Sequence, residues 1–163
     1  MTSRRDDDRD AALIERHRIE DLVIRYATSI DRRDWDALRE CFFEDAVADY
    51  GVLGRYEGVD AILTGAREPL QRLDASQHLL GNLVVEFTDA DNAVVTSYVQ
   101  AQHYLANAIG DSLATIGGTY TDEVRRVEGR WRIARLTLAV TWQTGNTSIL
   151  APRAVPDRFG RAV

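Results

Sequence analysis

The chain has no lysine; all 20 of its basic residues are arginine. That excludes a Schiff-base lysine and otherwise reads as a compositional bias of the source genome. Cysteine occurs once, at Cys41, so an internal disulfide and a cysteine-based zinc cluster are both excluded. Its setting in "LRECFF" is apolar, which favours a buried, inert thiol over a nucleophile. Histidine is scarce as well: His17, His78 and His103 lack the close pairing that a metal ligand set needs. No G-x-S-x-G elbow is present, so nucleophilic catalysis has no motif. No run of 18 apolar residues occurs, which excludes a membrane-spanning helix. The opening "MTSRRDDDRD" has no apolar h-region, so no signal peptide is expected and the expected compartment is the cytoplasm. A formal net charge of −6, with no basic stripe to neutralise phosphates, argues against a nucleic-acid partner.

What is present suits one globular domain. A chain of 163 residues, 45% apolar and 28% charged, is long enough to bury a real core. Residues 1–10 read as a disordered charged arm, 11–145 as a single α+β barrel domain, and 146–163, with two of the three prolines, as an irregular tail. A helix is expected from about residue 11 to 31, then a short one opening near "RDWDALRECF". "DAVADYGVLGRYEG" reads as a hairpin and "GVDAILTGAREPLQRL" as a third helix broken late by Pro69. The rest is strand-like. "HLLGNLVVEF" and "AVVTSYVQAQHYLA" flank the turn "DADN", and "LATIGGTYTDEVRRV" and "RWRIARLTLAVTW" flank "EG". Gly117-Gly118 inside a strand suggests a bulge or sharp bend. Helices first and long strands after give an α+β order. The expected architecture is a cone: helices on a strongly bent antiparallel sheet of about five or six strands, with a ligand cavity at its mouth.

Polar residues placed to face that cavity carry the chemistry. In the first helix Ile19, Leu22, Val23, Tyr26, Ala27 and Ile30 recur at spacings of three and four, forming one apolar face. Asp31 lies on the edge of that stripe, where an unpaired carboxylate would be costly. It could instead cap the second helix, but Asp34 can cap equally well. His17, in "ERHRIE", reads as a solvated surface residue. His78 has the strand parity of Leu80, Asn82 and Val84. His103 has that of Val95, Val99 and Ala101. Either is a satisfied core histidine or a cavity residue. Tyr26 is core packing or a hydroxyl donor, and Tyr120 and Trp142 are cavity wall or interface.

"RYATSIDRRDWDALRECFFEDAVADYG", "QHLLGNLVVEF" and "IGGTYTDEVRRVEGRWRI" resemble the SnoaL-like branch of the nuclear transport factor 2-like superfamily. Within it the chain resembles scytalone dehydratase, bile-acid 7α-dehydratase and hexachlorocyclohexane dehydrochlorinase over roughly residues 12–142. The resemblance implies a cofactor-free lyase. In those enzymes an aspartate ending the first helix holds a histidine on the first long strand, and Asp31 and His78 stand at the matching places. Such a carboxylate fixes the imidazole tautomer and raises the basicity of the other nitrogen. The bile-acid dehydratase pattern also has tyrosines matched by Tyr26 and Tyr50, suited to donate to a developing oxyanion. His103 stands near the second strand histidine of scytalone dehydratase.

Two departures separate the chain from the dehydrochlorinase: Tyr26 replaces its lysine and Leu136 its arginine, so cation-assisted loss of chloride is not expected. The catalytic candidates are therefore His78, Asp31 and Tyr26, with Tyr50, His103, Tyr120 and Trp142 as substrate-binding candidates and no metal site. The expected activity is a dehydration of a hydrophobic cyclic carbonyl compound. Isomerisation or aldol-type cyclisation of a polyketide or terpenoid would share the first half-reaction, and a noncatalytic binding module is the alternative class. The resemblance further implies a homo-oligomer, a trimer in preference to a dimer.

Overall fold

A computed structural model describes residues 4–106 and 108–150, with side chains from Arg9 onward. Helix α1 spans Arg4–Arg32. Residues 4–10, expected as a disordered arm, already belong to it, because extending a nucleated helix costs far less than starting one. Its stripe behaves as the spacing requires: Ile19, Leu22, Val23, Tyr26, Ala27 and Ile30 are all buried. The helix closes with the Arg33 amide donating to the Ile30 carbonyl and the Asp34 amide to that of Ser29, a Schellman arrangement. Arg33, at φ 59°, occupies the left-handed position that glycine usually takes.

Asp34, not Asp31, caps helix α2 (Trp35–Glu40), accepting from the Ala37 amide at 3.0 Å. Cys41 follows, fully buried, its thiol 3.3 Å from the Ala37 carbonyl, and burial raises its pKa. Strands β1 (Phe42–Asp49) and β2 (Arg55–Glu57) form the hairpin, joined through a 3-10 turn at Gly51–Leu53. Helix α3 (Val59–Leu70) carries Pro69 in its last turn.

Four long strands complete the fold: β3 (Ala75–Phe87), β4 (Asn92–Tyr104), β5 (Leu113–Val127) and β6 (Arg130–Gly145). They form one six-stranded sheet in the order β2-β1-β6-β5-β4-β3. The sheet is mixed, where an all-antiparallel one was expected. Strand β1 runs parallel to its sheet neighbour β6, which reaches that place only after β2, β3, β4 and β5 have been laid down in the chain. The sheet bends over α1 to give the cone-shaped α+β fold.

Two of the sheet's register shifts bear on the residues expected to face the cone's interior, because an inserted residue reverses side-chain parity. In β3 the register shifts between Gly81 and Val84, with Asn82 at φ 51°. His78 and Leu80 therefore face inward with Val85, whereas Asn82 and Val84, expected on the same face, point out and are exposed. Of the two shifts between β5 and β6, one falls at Glu123-Val124 and the other at Gly117-Gly118, the bend anticipated there. A Cβ on Gly117 would come within 2.0 Å of the Trp142 ring. Structure continues past residue 145, where the domain was expected to end. Residues 147–150 form a 3-10 turn whose Ile149 is buried and whose Leu150 lines the cavity; residues 151–163 of the expected irregular tail lie outside the described residues.

Candidate active site

The cone encloses a cavity of about 490 Å³ between α1, α3, the β1–β2 hairpin and the inner face of the sheet. Most of its wall is apolar, from Ile30, Leu70, Val99, Ile116 and Leu138. The polar groups gather in two places.

On one side stands the Asp31–His78 pair. The His78 Nδ1 lies 2.7 Å from Asp31 Oδ1. Asp31 also accepts from the His78 backbone amide at 2.8 Å and from the Ser76 hydroxyl at 3.0 Å. Burial alone would raise the Asp31 carboxyl, but the bonds from His78 and Ser76 outweigh it and hold the pKa below the ordinary 3.8. An ionised carboxylate can only accept, so Nδ1 is the donor; in the neutral ring Nε2 then carries the free lone pair. The His78 side chain is 7% exposed and Asp31 21%, so Asp31 is less enclosed than a core-facing stripe suggests. His103 meets the His78 ring edge-on, centroids 5.6 Å apart. Burial, and then the proximity of His78, lower its pKa to about 4, so it is neutral near pH 7. Its Nδ1 is buried with no partner among the described residues.

The second group is a tyrosine cluster. The Tyr26 and Tyr50 hydroxyls are 3.1 Å apart, and Tyr120 packs edge-on against Tyr26 at 5.8 Å. Burial raises the pKa of all three phenols, so they remain protonated donors. Two residues past Tyr120, Asp122 is 2% exposed, paired between Val95 and Leu136. Desolvation raises its pKa to about 8, and its Oδ1 has no partner among the described residues.

Six of the seven sequence candidates thus meet at one cavity: Asp31 through His78, and His78, His103, Tyr26, Tyr50 and Tyr120 as lining residues. Trp142 does not. Simple alternation from Leu136 and Leu138 puts it inside, but the bulge pairs it with Gly117 rather than Ile116. It consequently lies on the outer face, 48% exposed, and Gln143 takes the inward place. The sequence reading missed Arg33, Ser76 and Asp122. Each had a signal: a non-glycine residue just past a helix end, a hydroxyl two residues before His78, and a carboxylate on the inward parity of Tyr120. Among the described residues no group of three His, Cys, Asp or Glu side chains gathers as a metal site, and no helix is long and apolar enough to cross a membrane.

Residues 11–137 match the SnoaL-like domain. The chain belongs to the SnoaL-like family. Among its relatives, terrestric acid biosynthesis cluster protein E of Penicillium crustosum is 30% identical, over 85% of this chain and 90% of its own. Hexachlorocyclohexane dehydrochlorinase 1 of Sphingobium indicum is 27% identical, over 81% and 85%. A crystal structure from Novosphingobium aromaticivorans, provisionally assigned as a scytalone dehydratase, superposes with a TM-score of 0.77 at 26% identity, covering 84% of this chain and 91% of that one. The SnoaL-like cone with helices on a curved mixed sheet is the fold found here.

Proposed function

We propose that this SnoaL-like protein is a lyase of the dehydratase type, acting on a hydrophobic cyclic carbonyl compound. The observation that carries the reading is the 2.7 Å bond between His78 Nδ1 and Asp31 at the wall of an otherwise apolar cavity. A binding pocket alone has no need of an oriented base. The names of the dehydrochlorinase and dehydratase relatives support elimination chemistry.

In the proposed reaction Nε2 of His78 takes a proton α to the substrate carbonyl. The electron pair moves onto the carbonyl oxygen, and a phenol of the tyrosine cluster donates to the resulting enolate. Asp31 stabilises the imidazolium without taking its proton. The enolate then collapses and expels hydroxide from the β carbon, which leaves as water with the proton that His78 held. The substrate loses one water and His78 returns to its neutral form. Returning the proton to a different carbon would make the same half-reaction an isomerisation.

The test is exchange of the α protons of 2-tetralone in heavy water, followed by NMR. We expect the wild-type protein to accelerate exchange above background and His78→Ala to abolish that acceleration. Exchange as fast in His78→Ala as in wild type would overturn the proposal.

A further inference from the structure

Arg33 holds a conformation that its residue type disfavours. At the end of α1 its φ of 59° puts a Cβ-bearing residue where glycine has no steric penalty. Such strain persists where the surroundings over-determine it, and here the side chain shows what does so. The Arg33 guanidinium fans out to four acceptors. Nε donates to the Leu70 carbonyl at 3.0 Å; Nη1 donates to the carbonyls of Ile30 at 2.8 Å and Asp31 at 3.2 Å, and to the Ser76 hydroxyl oxygen at 2.7 Å. Ser76 passes the bond on, donating to Asp31 Oδ1, the same oxygen that receives His78 Nδ1.

Resting on the base role given to His78 above, we infer that Arg33 and Ser76 are positioning residues that fix the Asp31 carboxylate and, through it, the tautomer of His78. The hydroxyl of Ser76 is committed in one direction, because its oxygen accepts from a group that can only donate. Its own proton is then free to point at Asp31. Arg33 also ties the end of α1 to the end of α3 through Leu70, so the carboxylate, the cavity wall and the strand bearing His78 are held by one cation. The left-handed turn goes with a guanidinium laid back over the helix end, on the Ile30 and Asp31 carbonyls.

Selective ¹⁵N-histidine labelling tests this without any substrate. The protein has three histidines, and His78→Ala identifies the His78 signals. In wild type we expect a slowly exchanging Nδ1–H proton far downfield and a single tautomer. Ser76→Ala and Arg33→Gly should each broaden that proton and mix the tautomers, while Ser76→Thr, which keeps the hydroxyl, should restore the wild-type spectrum. Glycine suits the left-handed backbone, so Arg33→Gly isolates loss of the guanidinium from loss of the turn. In the tetralone exchange assay both disruptive variants should lose on the order of 10²-fold in kcat with KM little changed, the usual penalty for a misplaced catalytic group. If both variants keep the wild-type Nδ1–H signal, the positioning role is wrong and the Asp31–His78 base stands unaffected. If wild type itself lacks a protonated Nδ1, the base assignment fails along with it.

Discussion

Asp31 and Asp122 both draw a carboxyl back from water beside the cavity wall, and their surroundings treat it oppositely. Asp31 accepts from an imidazole, a backbone amide and a hydroxyl, with Arg33 behind the hydroxyl, and its pKa falls below the ordinary value. Asp122 sits between apolar neighbours with one oxygen unpartnered, and its pKa rises to about 8. Depth alone does not explain the contrast, since a buried carboxylate stays charged wherever donors replace the water it has lost. The side with the donors can store a base and its counter-charge. The tyrosine side is kept neutral, which suits phenols that must give hydrogen bonds to a developing oxyanion. The cavity is thus divided into a basic edge and a neutral donor edge.

The sharpest way to break this division is to remove the base. His78→Ala should cost about 10²–10⁴ in turnover, the usual worth of a general base. Asp31→Asn should approach the upper end of that range, because an amide can select the wrong tautomer and cannot stabilise an imidazolium. The tetralone exchange rate checks both. A loss of only a fewfold in either variant would mean that the two edges do not differ in chemistry.

The second prediction concerns stability, and the two carboxyls should give it opposite signs. Asp31 has a lowered folded pKa, so its contribution is present above about pH 4 and is lost as the pH falls. Asp122 has a raised one. Folded, it keeps its proton up to about pH 8, whereas unfolded it releases it near 3.8. Over that window the unfolded state binds fewer protons, so stability falls as pH rises, in total on the order of 5 kcal/mol. Asp122→Asn removes the titration while keeping the shape of the neutral acid. Its unfolding midpoint in urea should exceed that of wild type at pH 8, and the two should converge toward pH 4. A constant difference across that range would show that Asp122 is ionised in the fold.

Tyr26→Phe should be gentler than loss of the dyad. Removing one donor to an oxyanion costs about 10²–10³ in rate. The variant keeps the edge-on packing against Phe42 and Tyr120, so its melting temperature should change little. Affinity falling in step with rate would instead mark Tyr26 as a ground-state contact.

Much of this division was open to a reader of the sequence, and the exceptions share a cause. The stripe from Ile19 to Ile30 and its terminal Asp31 are local, so spacing reveals them. Their link to His78, 47 residues away in sequence, came through family resemblance, since no periodicity connects a helix end to a strand. The parallel pairing of β1 with β6 is equally non-local. At Arg33 the sequence shows only a non-glycine residue past a helix end, a weak signal because arginine is commonplace there; its positive φ is what makes it unusual. Asn82, Val84 and Trp142 were assigned to the wrong face for one reason. Each lies beyond or beside a bulge, where a single extra residue reverses an alternation that the sequence continues without visible interruption.

Trp142 gives the smallest expected effect and the cleanest control on where the cavity ends. With the bulge at Gly117-Gly118, its indole covers the outer face of the sheet against Gly117. Trp142→Ala would then uncover backbone and cost roughly 1 kcal/mol, an ordinary value for a partly exposed side chain, while kcat/KM for tetralone exchange stays at the wild-type level. Substitution of the inward neighbour Gln143 should do the reverse, altering KM with little change in stability. A tenfold drop in kcat/KM for Trp142→Ala, equivalent to about 1.4 kcal/mol of transition-state binding, would place the indole inside the cone. The register of β6 would then have to shift by one residue, taking Gln143 out of the cavity with it.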